Sequence, residues 1–204
     1  MKVIAISQSI EFHETRNERR DYIDQALVKL ISSLGYLPVM VPNCLSSYSG
    51  SKSEKNNILN EWLNSLSVDG IVLSGGNDIG TCPDRDSTES FLLEYSTNHQ
   101  LPALGICRGM QIMGVFAGGI LEKVRGHVAT HHKVMGEFSE SVNSYHQLAF
   151  LSLPIGYKIM VKSEDGAIEA IRHEKNSWEG WMWHPERNTP FSDNDITRLK
   201  RLFG

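Results

Sequence analysis

Cys107 lies between two glycines, in the run Gly105-Ile106-Cys107-Arg108-Gly109. An apolar stretch from Leu101 to Ile106 precedes it, and a helical pattern from Arg108 to Phe116 follows, stopped by Gly118-Gly119. A cysteine at a tight strand-to-helix turn has the pattern of a nucleophile elbow, where flanking glycines remove side chains that would collide with nearby backbone. The turn also presents sulfur at a helix N-terminus, where the macrodipole favours thiolate. His184-Pro185-Glu186 supplies an imidazole and a carboxylate two positions apart. On extended backbone these point to one side, and Pro185 biases His184 towards that conformation. His184 could take the thiol proton while Glu186 orients the ring, the division of labour of a nucleophile–base–acid triad. Acyl transfer also needs amide donors for an oxyanion, and the N–H groups of Arg108 and of Gly76, in Ser74-Gly75-Gly76-Asn77-Asp78, are candidates.

Each piece alone admits a plainer reading: an inert buried cysteine, a surface His-Pro-Glu turn, an ordinary strand-ending turn. Cys107 and His184 are far apart in sequence, so the fold must bring them together. Val3 to Ile6, Leu37 to Val41, Ile71 to Leu73 and the stretch before Cys107 read as buried strands. Helical spacing runs over Tyr22 to Leu34, Ile58 to Leu66, Ser87 to His99, Arg108 to Phe116 and Asp195 to Phe203. Asn43 to Asn56 is rich in Ser, Gly and Asn and reads as a loop. Alternating strands and helices predict an α/β fold, a mostly parallel sheet flanked by helices, with sites at the C-terminal strand ends. Gly75-Gly76 and Cys107 both fall at such ends. Beyond Ile120, Ser139 to Val142, Tyr157 to Val161, Ala167 to Ile171 and Gly180 to Trp183 predict a small antiparallel β region. No repeat, low-complexity tract or linker divides residues 1–204, which are read as one domain.

The 204 residues are 40% apolar and 22% charged, the balance of a soluble globular domain. A net charge of −4 argues against general nucleic-acid binding. Three cysteines, Cys44, Cys82 and Cys107, point to a reducing compartment rather than a disulfide framework. The N-terminus turns polar too early for a signal peptide, and no apolar stretch approaches the ~20 residues a membrane span needs. The expected location is the cytoplasm, without membrane association.

The order Gly-Gly, Gly-x-Cys-x-Gly, His-Pro-Glu resembles the class I glutamine amidotransferase superfamily. Gly105-Ile106-Cys107-Arg108-Gly109-Met110-Gln111 is similar to the signature of its gamma-glutamyl-gamma-aminobutyrate hydrolase branch. Ser74 to Asp78, Asn143-Ser144-Tyr145-His146-Gln147 and Asp165-Gly166 with Ile168-Glu169-Ala170 fit further segments of that branch, as do Arg20 to Ile23 and Gly35 to Val39.

The resemblance implies a flavodoxin-like fold and a hydrolase that releases glutamate from a γ-glutamyl amide through a thioester. It makes Cys107 the nucleophile, His184 base and then acid, Glu186 its orienting carboxylate, and Gly76 and Arg108 the oxyanion donors. Gln111 would grip the glutamyl head group, and the segment Asn143, Ser144, Tyr145 and His146 would bind its carboxylate or amine. It implies a small-molecule substrate and no cofactor, metal or obligatory synthase partner. A narrower resemblance, to hydrolases acting on a γ-glutamyl cytidine-diphosphate amidate in capsular phosphoramidate synthesis, would give Arg16 and Arg19 an anion-binding role. On the residues alone, Arg16, Arg19 and Arg20 also fit a solvated charged face. His127, His131 and His132 lack a nearby cysteine; His127 and His132 are read as shaping the pocket rather than binding zinc. Trp178, Trp181 and Trp183 read as core or pocket wall. The loop Ile79 to Pro83 departs from the branch, which leaves the leaving-group pocket unspecified. A glutaminase subunit serving a synthase and a non-enzymatic binding module are the competing readings; the first lacks a fused synthase here, and the second has no use for Cys107, His184 and Glu186 together.

Overall fold

The computed structural model describes residues 1–45 and 52–204, with only backbone for 52–57. The chain runs β1 (Val3–Ser7), β2 (Ser9–His13), β3 (Glu18–Tyr22), α1 (Gln25–Ser33), β4 (Leu37–Val41), α2 (Lys52–Ser65) and β5 (Gly70–Leu73). It continues with α3 (Pro83–His99), β6 (Ala103–Ile106), α4 (Arg108–Phe116), β7 (Glu122–Lys123), β8 (Val128–Gly136), β9 (Glu140–Tyr145) and β10 (Leu148–Ala149). The last elements are β11 (Tyr157–Ser163), β12 (Ile168–His173), β13 (Trp178–Trp181) and α5 (Asp193–Phe203).

Nine strands form one sheet in the order β4-β1-β5-β6-β13-β12-β11-β8-β9. The pairs β4-β1, β1-β5, β5-β6 and β6-β13 are parallel. The pairs from β13 to β9 are antiparallel. The α/β expectation therefore holds, with one refinement. The antiparallel strands continue the parallel sheet instead of standing beside it, because β13 returns to lie parallel against β6. Its strands carry apolar residues on both faces, as a sheet covered by helices requires. Ala5, Ile71, Leu73 and Ala103 pack into one buried cluster, while Ile4, Ile6, Val72, Leu104 and Ile106 pack into the other.

Local signals set most helix ends. Asp24 caps α1 by accepting from the Ala26 N–H at 2.8 Å, so that helix begins at Gln25 and not at Tyr22. Tyr22 instead ends β3, which pairs with β2 in a hairpin that the polar composition of Glu11 to Arg20 concealed. Pro83 opens α3, earlier than Ser87, because its first turn carries charged residues in ion pairs, with only Arg85 buried, and no apolar period. In the expected loop Asn43 to Asn56, Lys52 onward is helical and residues 46–51 lie outside the described residues. Among the described residues no helix is long and apolar enough to cross a membrane.

Candidate active site

Cys107 sits between β6 and α4 with φ 50° and ψ −104°, a strained conformation for a residue with a Cβ. The surrounding packing enforces it. A Cβ on Gly105 would lie 2.5 Å from the Gly109 carbonyl carbon, and one on Gly109 would lie 2.0 Å from the Leu73 carbonyl oxygen. Both elbow glycines are thus required by close backbone approach. The Cys107 N–H donates to the Trp181 carbonyl at 2.7 Å, stitching the elbow to the end of β13.

That register brings His184 over the cysteine. Trp181 pairs with Ile106, and the chain leaving β13 reaches His184 three residues later. His184 is extended, as Pro185 favours, but residues Pro185–Arg187 form a single 3-10 turn. Glu186 therefore reaches His184 by folding back, and not through the extended geometry expected from the sequence. Its Oε1 lies 2.7 Å from His184 Nδ1. Asn143 clamps the His184 backbone, accepting from its N–H and donating to its carbonyl, each at 2.8 Å. Burial works against a charged His184 ring, but hydrogen bonds with Cys107 and Glu186 outweigh it and raise the ring to about 9. With Nδ1 committed to Glu186, Nε2 is the nitrogen left for the sulfur.

Gly76 has φ +124°, and a Cβ there would meet Ser9 Oγ at 2.0 Å. Its loop borders two cavities. One of about 190 Å³ is lined by Gly76, Asp78, Cys107, Arg108, Gln111, Tyr145, His146, Gln147 and Leu148. The other, about 360 Å³, is lined by residues that include Tyr22, Asp24, Gly75, Gly76, His184, Glu186 and Arg187.

The structure thus gathers Cys107, Arg108, Gly76, Gln111, Tyr145 and His146 around one cavity, while His184 and Glu186 line the larger one, which shares Gly76 with it. Gln111 donates to the Leu148 carbonyl at 3.0 Å. Tyr145 lies edge-on to the His184 ring, and the Arg187 guanidinium stacks over it at 4.3 Å. The side chains of Asn143 and Ser144 point elsewhere: Asn143 onto His184, Ser144 onto the His127 carbonyl at 2.7 Å. Arg16 and Arg19 are not brought to either cavity. Arg16 is exposed at the tip of the β2-β3 hairpin, and Arg19 pairs with Asp84 at 2.7 Å beside a separate pocket. Among the described residues the arginine in the larger cavity is Arg187. Trp178, Trp181 and Trp183 are buried in the core.

The sequence reading missed Arg85 and Glu89, both fully buried. The Arg85 guanidinium donates to the carbonyls of Ser74 and Gly75 at 2.7 and 2.9 Å, to Ser9 Oγ at 2.8 Å and to Glu89 at 3.0 Å. Glu89 also pairs with the Arg108 guanidinium and accepts from Ser7 Oγ at 2.7 Å. Arg108 donates to the Asn77 carbonyl at 3.0 Å and pairs with Asp86. Two guanidiniums and a carboxylate thereby fix the Gly75-Gly76 turn from below. The i,i+4 spacing of Arg85 and Glu89 behind the turn was the available signal.

Chemically, the arrangement offers a sulfur beside a polarised imidazole, a carboxylate holding that imidazole, and amide donors at a helix start and a glycine turn. Comparison with known proteins agrees in family. The model of the family described as glutamine amidotransferase class-I matches residues 21–201. A gamma-glutamyl-CDP-amidate hydrolase from Campylobacter jejuni subsp. jejuni serotype O:2 is 29% identical over 142 residues, spanning 67% of this chain and 70% of that protein. Anthranilate synthase component 2 of Archaeoglobus fulgidus is 35% identical over 133 residues, spanning 61% of this chain and 68% of that protein. The crystal structure of a GMP synthase-type protein from Thermoplasma acidophilum superposes with a TM-score of 0.71 at 19% identity, covering 100% of this chain and 94% of that one.

Proposed function

The chain belongs to the glutamine amidotransferase class-I family, and from that premise we propose that it hydrolyses a γ-glutamyl amide through Cys107. The contact that carries this reading is the His184–Glu186 pair at 2.7 Å beside the cysteine elbow. His184 takes the thiol proton, and sulfur attacks the γ-carbonyl carbon. The oxyanion is held by the N–H groups of Gly76 and Arg108. The C–N bond breaks as the imidazolium gives its proton to the leaving nitrogen. Water, deprotonated by His184, then cleaves the thioester, glutamate departs and the proton returns to sulfur. Glu186 stabilises the imidazolium throughout.

The glutamyl half fits the cavity of about 190 Å³ beside Gln111 and Tyr145. The leaving half extends past His184 into the larger cavity, where Arg187 can pair with an anionic group. This supports a substituted amide over plain glutamine. The specific substrate proposed is γ-L-glutamyl-CDP-amidate, hydrolysed to cytidine diphosphoramidate and glutamate, as the name of the Campylobacter relative suggests. Neither a synthase partner nor a nucleic acid enters the reaction, which is assigned to the cytoplasm.

A glutaminase subunit feeding a synthase is the second reading, favoured by the similarity to anthranilate synthase component 2. Glutamate release over a panel of γ-glutamyl amines, polyamines, nucleotide phosphoramidates and glutamine decides between them. Turnover of a substituted amide by the isolated chain supports the first reading. Turnover of glutamine only, and only with a partner protein, overturns it.

A further inference from the structure

Behind the cysteine cavity, three imidazoles converge on one buried carboxylate. His127 Nδ1, His132 Nε2 and His146 Nε2 lie 3.3, 3.3 and 3.4 Å from Glu169 Oε1. His127 Nδ1 is 3.2 Å from His146 Nε2. Glu169 is fully buried, and among the described residues neither of its oxygens nor His132 Nε2 has a partner in hydrogen-bonding geometry. His127 Nδ1 and His146 Nε2 face one another across a proton, whereas the three approaches to Glu169 Oε1 are close but not aligned as hydrogen bonds.

The outward nitrogens are committed. His127 Nε2 meets Asp165 Oδ2 at 2.8 Å, and His146 Nδ1 meets the Leu148 carbonyl at 3.2 Å. Both partners are acceptors, so the outward nitrogens carry protons, and the further proton held between His127 Nδ1 and His146 Nε2 is the one that a metal ion would displace. His132 Nε2 and both Glu169 oxygens, buried beside that pair with no hydrogen-bond partner among the described residues, are the groups left to face a cation. Outward imidazole N–H groups held by a carboxylate and a backbone carbonyl are the arrangement that surrounds metal-ligating histidines.

We propose that His127, His132, His146 and Glu169 bind a divalent metal ion of the zinc type. Bonds of ~2.0–2.1 Å in tetrahedral zinc place neighbouring donors about 3.3 Å apart; the three separations from Glu169 Oε1 and that between His127 and His146 are 3.2 to 3.4 Å, and His132 closes on the other imidazoles when the ion binds. Three imidazoles with one carboxylate select a borderline ion over magnesium or calcium. Four protein donors close the coordination shell, so the ion is structural. It ties together β8, the end of β9, β12 and, through Asp165, the β11–β12 turn. The Leu148 carbonyl that receives His146 also receives Gln111, so the tie reaches the glutamyl cavity. His131, grouped with His127 and His132 in the sequence, is exposed while His132 turns to Glu169. Glu169 and His146, remote in sequence, complete the set.

Untagged Cys107→Ala protein, which lacks the thiol that could capture metal itself, is stripped with chelator and reloaded with zinc(II) or cobalt(II) alone. One ion per chain is expected to survive gel filtration, with the visible absorption of tetrahedral cobalt and no sulfur-to-cobalt band. Adding His132→Ala or Glu169→Gln should lower metal affinity by more than about tenfold, while adding His131→Ala should not. Sub-stoichiometric uptake, or equal loading of the His132→Ala protein, would overturn the site and leave protons holding the cluster. If those variants do not fold, the cobalt spectrum of the Cys107→Ala protein decides: absence of the tetrahedral band overturns the proposal.

Discussion

Gly75 and His184 are in van der Waals register: a Cβ on Gly75 would stand 2.8 Å from His184 Cε1. The imidazole cannot yield, because Glu186 holds its Nδ1 and Asn143 holds its backbone on both sides. The second residue of the family-like glycine loop thus serves the base, while the third, Gly76, opens the way to the reacting carbonyl.

Gly75→Ala should therefore displace the ring relative to sulfur. A misplacement of about 1 Å costs roughly 10²-fold in turnover. Steady-state kcat, with circular dichroism to establish folding, checks this; unchanged kcat would show that the loop moves instead of the ring.

Cys107→Ala should abolish glutamate release and leave the fold intact, because the elbow is held by glycine contacts and strand pairing and not by the sulfur. A γ-glutamyl electrophile should label Cys107 and spare Cys44 and Cys82, which lie outside the cavity. Mass spectrometry of the labelled peptides reads the outcome, and equal labelling of all three thiols counts against the cavity as the glutamyl site.

His184 is raised from 6.5 to about 9, so its imidazolium persists through neutral pH and is lost as pH rises through about 9. Protonation of the leaving nitrogen needs that form, so kcat/KM should fall on the alkaline side near that value. Glu186→Gln removes a charge that supports the imidazolium, and the alkaline limb should move to lower pH. A limb that stays in place in the variant would sever the link between the two residues.

Glu89→Gln should destabilise the protein by about 3–5 kcal/mol, because two buried guanidiniums lose their shared carboxylate. Urea unfolding measures the loss. Residual activity in folded material should also drop, since the carbonyls of Ser74 and Gly75 are held by Arg85. A change below about 1 kcal/mol, the scale of a surface pair, would mean that the cluster is solvated.

Sequence alone determined what is decided within a few residues. The glycines around Cys107, the proline after His184 and the apolar runs of β1, β5 and β6 act through local sterics and periodicity, so the elbow and the parallel sheet were legible. The antiparallel strands were found, but not their continuity with the parallel sheet, which depends on β13 crossing back to β6. Arg16 and Arg19 had an anion-binding role only from the narrower resemblance, while their residue types fitted a solvated face; the β2-β3 hairpin turns Arg19 onto Asp84. Arg85 and Glu89 showed in the sequence only as an i,i+4 pair, and the cluster around Glu169 only as the grouping of His127 and His132. Their partners come from different strands and helices, and only the order of elements in the sheet sets which charged or imidazole groups meet away from water.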